Sequence, residues 1–166
     1  MQLVWERSTA MGDIFDTMVE FFQREEWTYD QVSDQPILRL GMNGKNGKWV
    51  GYAQAREEQE QFVFYSVLPT TAPENMRHTV AELLTRLNYG LVIGNWEMDY
   101  RDGEIRYKTS VDVEGDRLSS ALMRNLVFLN LQMMDRSLPA IMGVMYGGMS
   151  VEVAVKQVDS HGGIPS

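Results

Sequence analysis

The side chains best placed to do chemistry lie in one short stretch, Trp96 to Thr109. It reads WEMDYRDGEIRYKT and carries Glu97, Asp99, Glu104, Arg106 and Lys108. Two carboxylates on one strand suggest glycosidase-type acid–base work. That work needs one carboxyl with a raised pKa. Asp102-Gly103 is a favoured dipeptide for a two-residue type I′ turn. With that turn, Arg101 faces Glu104, Asp99 faces Arg106, Glu97 faces Lys108 and Trp96 faces Thr109. Cations opposite both acids keep them ionised. The expected outcome is a solvated charged sheet face. No catalytic residue is assigned to it.

The other reactive groups are sparse. The chain has no cysteine and two histidines, His78 and His161. Thiol nucleophiles, disulfides and cysteine-ligated zinc are thereby excluded. A working histidine pair would need both rings to converge with a carboxylate. His78 reads as exposed on a helix and His161 as part of a C-terminal tail. Glu57, Glu58 and Glu60 form an acidic turn, with too few spaced oxygens for a dedicated calcium loop. Gly44-Lys45-Asn46-Gly47-Lys48 fails as a phosphate loop: Trp49 stands where Ser or Thr is needed, and a strand follows. It reads as a hairpin turn. No metal or other cofactor is expected.

The elements that carry these residues follow from periodicity. Ile14, Phe15, Met18, Val19 and Phe22 recur at helical spacing after Asp13, a candidate cap. The spacing predicts a helix over about 14–26. Leu38, Leu40 and Met42 alternate with polar residues, and Trp49 to Ala55 reads as the return strand. Phe62 to Leu68 is apolar on both faces, so it belongs at the centre of a sheet or under cover on both sides. Thr71 to Glu74 matches a capping box. Met76, Val80, Leu83, Leu84 and Leu87 then mark a second helix, with Gly90 at its end. After the Asp102-Gly103 hairpin, Asp116 is expected to cap a third helix running to about Asp135. Pro139 starts another helical stretch, which Gly147-Gly148 interrupts. A final turn or two reaches Val158.

The predicted class is α+β: a two-layer domain with an antiparallel sheet of about five strands and helices on one face. Residues 1–12 read as a lead-in, 13–158 as a single domain and 159–166 as a flexible tail. The Leu138 to Val155 run contains Gly143 and Gly147, but Glu152 and the paired glycines argue against a membrane span.

The element order and several motifs resemble the YbjN-like family of bacterial proteins. The residues that carry the resemblance are Phe15, Leu68-Pro69, Glu82-Leu-Leu-Thr-Arg-Leu-Asn88, Gly94-Asn-Trp-Glu-Met98 and Asp102-Gly-Glu-Ile-Arg-Tyr107. The resemblance implies a fold like that of type III secretion chaperones. It also implies a regulatory role in sensory transduction or stress responses, and offers no active site to carry over.

Charge points the same way. The net charge of −8 at pH 7 disfavours nucleic acid and anionic membrane surfaces as partners. With no basic segment leading into a long apolar run near Met1, a cytoplasmic setting is expected. The third helix is apolar around more than one stripe, so either the chain's own C-terminal helices or another chain covers it. The expectation is a non-enzymatic protein-binding module, a homodimer being one form of it. Trp49, Tyr52, Leu126, Met133 and Met134 are its candidate contacts. The alternative is a small-molecule sensor or enzyme with a pocket lined by Trp96, Tyr100 and Tyr107.

Overall fold

The computed structural model describes residues 12–160. The lead-in before Gly12 and His161 with the rest of the tail lie outside them. Four helices and six strands follow in the order α1 (Asp13–Arg24), β1 (Asp30–Gln31), β2 (Ile37–Asn43), β3 (Lys48–Arg56), β4 (Gln61–Val67), α2 (Arg77–Tyr89), β5 (Asn95–Met98), β6 (Ile105–Asp112), α3 (Ser120–Tyr146) and α4 (Val151–Ser160). The strands form one antiparallel sheet in the order β1-β2-β3-β4-β6-β5. The α+β architecture is as expected. The sixth strand, β1, is a two-residue edge too short for a period-two signal.

Alternation along the strands separates two faces. Leu38, Leu40, Trp49, Ala53, Ala55, Phe62, Phe64, Trp96, Ile105 and Tyr107 are buried on the face that the helices cover. The opposite face carries Arg39, Tyr52, Gln54, Tyr65, Arg106 and Lys108 in cross-strand pairs, with Tyr52 beside Tyr65 and Tyr65 beside Lys108. β4 sits inside the sheet, between β3 and β6, as its two apolar faces require.

Several local signals resolve differently. Asp13 does not cap α1. The N-cap is Gly12, and the helix's free Phe15 N–H donates to the Glu57 carboxylate at 2.7 Å. Thr71 to Glu74 forms no capping box: a 3-10 turn at Glu74–Met76 leads into α2, and no side chain caps it. Gly90 ends α2 in a right-handed conformation, so its freedom to take positive φ is unused. Ser119, not Asp116, caps α3 by accepting from the Leu122 N–H at 3.1 Å.

The largest departure is α3 itself. It runs unbroken through Pro139. Proline cannot donate to the carbonyl four residues back, here that of Asp135. That carbonyl accepts instead from Asn46 Nδ2 at 3.0 Å, and the Asp135 carboxylate accepts from the Asn46 N–H at 2.8 Å. The β2–β3 turn therefore docks on the helix where the proline would have broken it. The far half of α3 is covered by the chain's own α4: Val151, Ala154 and Val158 share one core with Ile141, Val144 and Met145. Asn130 ties the helix to the sheet from within the core, its Nδ2 donating to the carbonyls of Phe64 at 3.0 Å and Tyr107 at 3.2 Å.

Candidate functional site

The hairpin that carries the acids turns through a longer loop than two residues, centred one residue earlier than Asp102-Gly103. Trp96 lies opposite Tyr107, Glu97 opposite Arg106 and Met98 opposite Ile105, a shift of two residues from the expected register. A type I′ turn needs positive φ at both central residues. Gly103 has φ 82°, whereas Asp102 is not among the positive-φ residues. The Asp99 N–H instead donates to the Glu104 carbonyl at 2.9 Å, and the Asp99 carboxylate accepts from the Arg101 N–H at 2.8 Å. Gly103 is held by a further tie, its carbonyl accepting from the Ala72 N–H at 2.8 Å.

Because a slip of two keeps every side chain on its own face, the charged cluster survives. Glu97 pairs with Arg106 at 2.8 Å and with Lys108. Burial alone pushes the Glu97 carboxyl up, but hydrogen bonds from Lys108, Arg106 and Asn95 outweigh it and hold the group below its ordinary range. Asp99 is held at about 2, chiefly by the Arg101 guanidinium. Neither carboxyl is a proton donor near neutrality, so the pair does not fit the acid–base role. Arg106 also stacks over the Tyr65 ring at 4.3 Å.

The sensor pocket expected from Trp96, Tyr100 and Tyr107 does not form as a set. Trp96 packs on Tyr107 in the core with ring centroids 5.0 Å apart. Tyr100 stands in the turn, 49% exposed, against His78 at 5.9 Å. Only the Tyr107 hydroxyl reaches an opening. It donates to the Ile93 carbonyl at 2.7 Å, and burial pushes its pKa up to about 12.

That opening is a cleft of about 840 Å³. One wall is the α2–β5 loop from Gly90 to Ile93. The facing wall is the α3 stripe Leu129, Met133, Arg136 and Pro139. Lys45 and Asn46 of the β2–β3 turn stand at its rim. The loop is unusual. Tyr89 is 96% exposed, Val92 90% and Ile93 46%. Isolated exposed apolar residues are common, but three within five positions beside a concave wall make this the candidate site.

The five candidate contacts are scattered. Trp49 is buried, its indole N–H donating to Ser66 Oγ at 3.0 Å. Met134 is fully buried, and Leu126 nearly so. Their side chains build the core. Met133 lines the cleft, and Tyr52 lines a shallower hollow on the bare sheet face beside Val50, Val67 and Glu104. The loop and Arg136 were not singled out in the sequence. Their signals are Leu91-Val92-Ile93, an apolar run in a short connection where polar residues are the rule, and a lone arginine within an apolar helical stripe.

The edge of β5 beside this loop is occupied at Trp96. Asn88, in the last turn of α2, accepts from the Trp96 N–H at 2.7 Å and donates to the Trp96 carbonyl at 3.0 Å. One side-chain amide thus occupies both outward backbone groups of that residue. Among the described residues, no group of three or more His, Cys, Asp or Glu is placed to hold a metal ion. No described helix is long and apolar enough to cross a membrane.

Comparison with known proteins places this geometry. The family model for YbjN, described as "Putative bacterial sensory transduction regulator", matches residues 15–142. The chain is similar to the crystal structure of YbjN, "a putative transcription regulator from E. coli", with TM-score 0.59 and 12% identity over 76% of this chain and 89% of that one. It also matches a chain of the HopA1-SchA chaperone-effector complex, with TM-score 0.49 and 17% identity over 77% of this chain and 95% of that one. No curated protein matches.

Proposed function

The chain belongs to the YbjN family, and on that premise we propose that it is a non-enzymatic protein-binding module, regulatory or chaperone-like, acting in the bacterial cytoplasm in signalling or stress responses. The observation that carries the reading is the end of α2 and the loop after it, which present Tyr89, Val92 and Ile93 to solvent beside the cleft. Folding leaves these side chains unburied, and burying them against a partner recovers roughly 25 cal/mol for each Å² of apolar surface removed from water. Large aromatic and aliphatic anchors beside a pocket are the kind of group that dominates interface energetics.

The same geometry argues for docking into a groove over pairing along a strand, since Asn88 already occupies the backbone of β5 at Trp96. It also argues against acid–base chemistry at the hairpin, where Glu97 and Asp99 are paired and ionised. A homodimer through this loop is one form the docking takes.

The test uses the double variant Tyr89→Ser/Val92→Ser. Both side chains are almost fully exposed, so the melting temperature should stay unchanged. Capture of partners from the native cell, or self-association by light scattering, should be lost. A folded double variant that keeps every partner and its mass refutes the loop as the docking surface.

A further inference from the structure

The cleft behind the loop carries a cation that forms no ion pair among the described residues. Arg136 lies in its wall. Its Nε is buried without a hydrogen-bond partner, and Nη2 contacts the thioether of Met133 at 2.9 Å, a weak acceptor. Among the described residues Arg136 forms no ion pair, although the chain carries eight more negative than positive charges. The one acidic residue in the wall, Asp135, is committed to the β2–β3 turn through the Asn46 N–H. Lys45 adds a second cation at the rim. A planar fork of donors matches a carboxylate.

Leu91, Ile93, Leu129, Met133 and Pro139 make up the apolar part of the wall, and Gln132 and Gln157 line it as well. The volume, about 840 Å³, lies within the range of small-molecule sites. The Tyr107 hydroxyl closes the floor but spends its proton on the Ile93 carbonyl, so it adds no donor of its own. One ligand chemistry satisfies both features: a carboxylate head for Arg136 and Lys45 on an aliphatic body for the apolar wall.

We propose that this cleft binds an amphipathic monocarboxylate of the aliphatic-acid class, its head on Arg136 and its chain between the Gly90–Ile93 loop and α3. The site goes beyond the protein-docking reading. The ligand's wall is the loop after Tyr89, whose Val92 both lines the cleft and is 90% exposed, so occupancy bears on the conformation of the docking surface.

The experiment titrates the full chain with dodecanoate, below its micellar concentration, while following backbone amide NMR shifts. Dodecanol is the neutral control. Dodecanoate should give saturable shifts centred on Leu91–Ile93 and Leu129–Arg136, and should bind about tenfold or more tightly than dodecanol, the worth of one charged hydrogen-bonded contact. Arg136→Gln should bring dodecanoate down to the level of dodecanol, and Arg136→Lys should keep part of the preference. Shifts centred on the bare sheet face around Tyr52, or equal binding of acid and alcohol, would overturn the site. So would a folded Arg136→Gln that binds dodecanoate unchanged. If Arg136→Gln does not fold, the comparison of acid with alcohol on the parent chain decides the matter alone. Partner capture is read on Tyr89→Ser alone, whose side chain is not in the cleft lining, so one result can fail while the other stands.

Discussion

The Asn46 amide supplies the donor that Pro139 denies to the Asp135 carbonyl inside an unbroken helix. Its Nδ2 donates to the Asp135 carbonyl, and its backbone N–H donates to the Asp135 carboxylate, at 3.0 and 2.8 Å. The two residues are 89 apart in sequence. A turn that resembles a phosphate loop in its spelling is thus a structural clip, and it sets the rim of the cleft.

Removing the clip should cost stability in a way that depends on the proline. Asn46→Ala should lower unfolding free energy by about 1–2 kcal/mol, because it leaves the Asp135 carbonyl without a donor. Pro139→Ala supplies a helical N–H to that same carbonyl. In that background Asn46→Ala should cost clearly less. A double-mutant cycle by urea denaturation measures the difference. Additive effects would mean that the two residues do not serve one carbonyl.

Much of the fold is written in short-range pattern, and what was not legible depends on distant partners. The strands show themselves by alternation, and the helices by the spacing of Phe15, Met18 and Phe22 or of Val80, Leu83, Leu84 and Leu87. Pro139 reads as a break because its rescuer, Asn46, lies in a hairpin far away in sequence. Asp13 reads as a cap because the group that serves, Glu57, sits three strands later. The hairpin slips by two because Asp99 and Ala72 hold the turn by hydrogen bonds that a dipeptide rule does not contain. The cleft was legible only in part. Met133 was singled out for its apolar surroundings, but the wall opposite it is a loop, and loops carry no period.

The distant cap on α1 yields a second prediction. Glu57→Ala should destabilise the fold by about 1 kcal/mol, the usual worth of a helix cap, while a surface glutamate such as Glu58 should be close to neutral on replacement. Gly12→Ala should be costlier than an ordinary surface change. Gly12 has φ 116°, and an added Cβ would collide with the Glu57 side chain. Thermal melts of the three variants give the ranking. Equal effects of Glu57→Ala and Glu58→Ala would remove Glu57 from the role.

The hairpin acids set an acid limb to stability. The Glu97 carboxyl is held below its ordinary value in the folded chain, so its contribution is present above the unfolded pKa, near 4.3. It is lost as pH falls through the depressed folded value. Stability should therefore be flat above about pH 5.5 and fall below it. Glu97→Gln should flatten that limb and lower stability at pH 7, because Lys108 and Arg106 then face a neutral group. Asp99, at about 2, extends the limb to lower pH, but its partner Arg101 is only two residues away and solvent screens the pair. Urea midpoints from pH 3 to 7 separate the two. An unchanged acid limb in Glu97→Gln would show that the cluster does not couple to folding.

Asn88 guards an edge, and its loss should change association as well as stability. Its amide binds the Trp96 N–H and carbonyl at 2.7 and 3.0 Å, as a neighbouring strand would. Asn88→Ala leaves both groups outward on a free β5 edge, and such an edge is a template for another chain. The variant should lose about 1–2 kcal/mol and gain a concentration-dependent dimer or larger species in light scattering. Asn88→Asp keeps the acceptor but not the donor, so it should restore the Trp96 N–H contact while its charge discourages edge-to-edge pairing. It should be destabilised yet remain no more associated than the parent. An Asn88→Ala protein with the parent's mass at every concentration would show that the β5 edge is protected by something other than that amide, such as the neighbouring loop from Gly90 to Ile93.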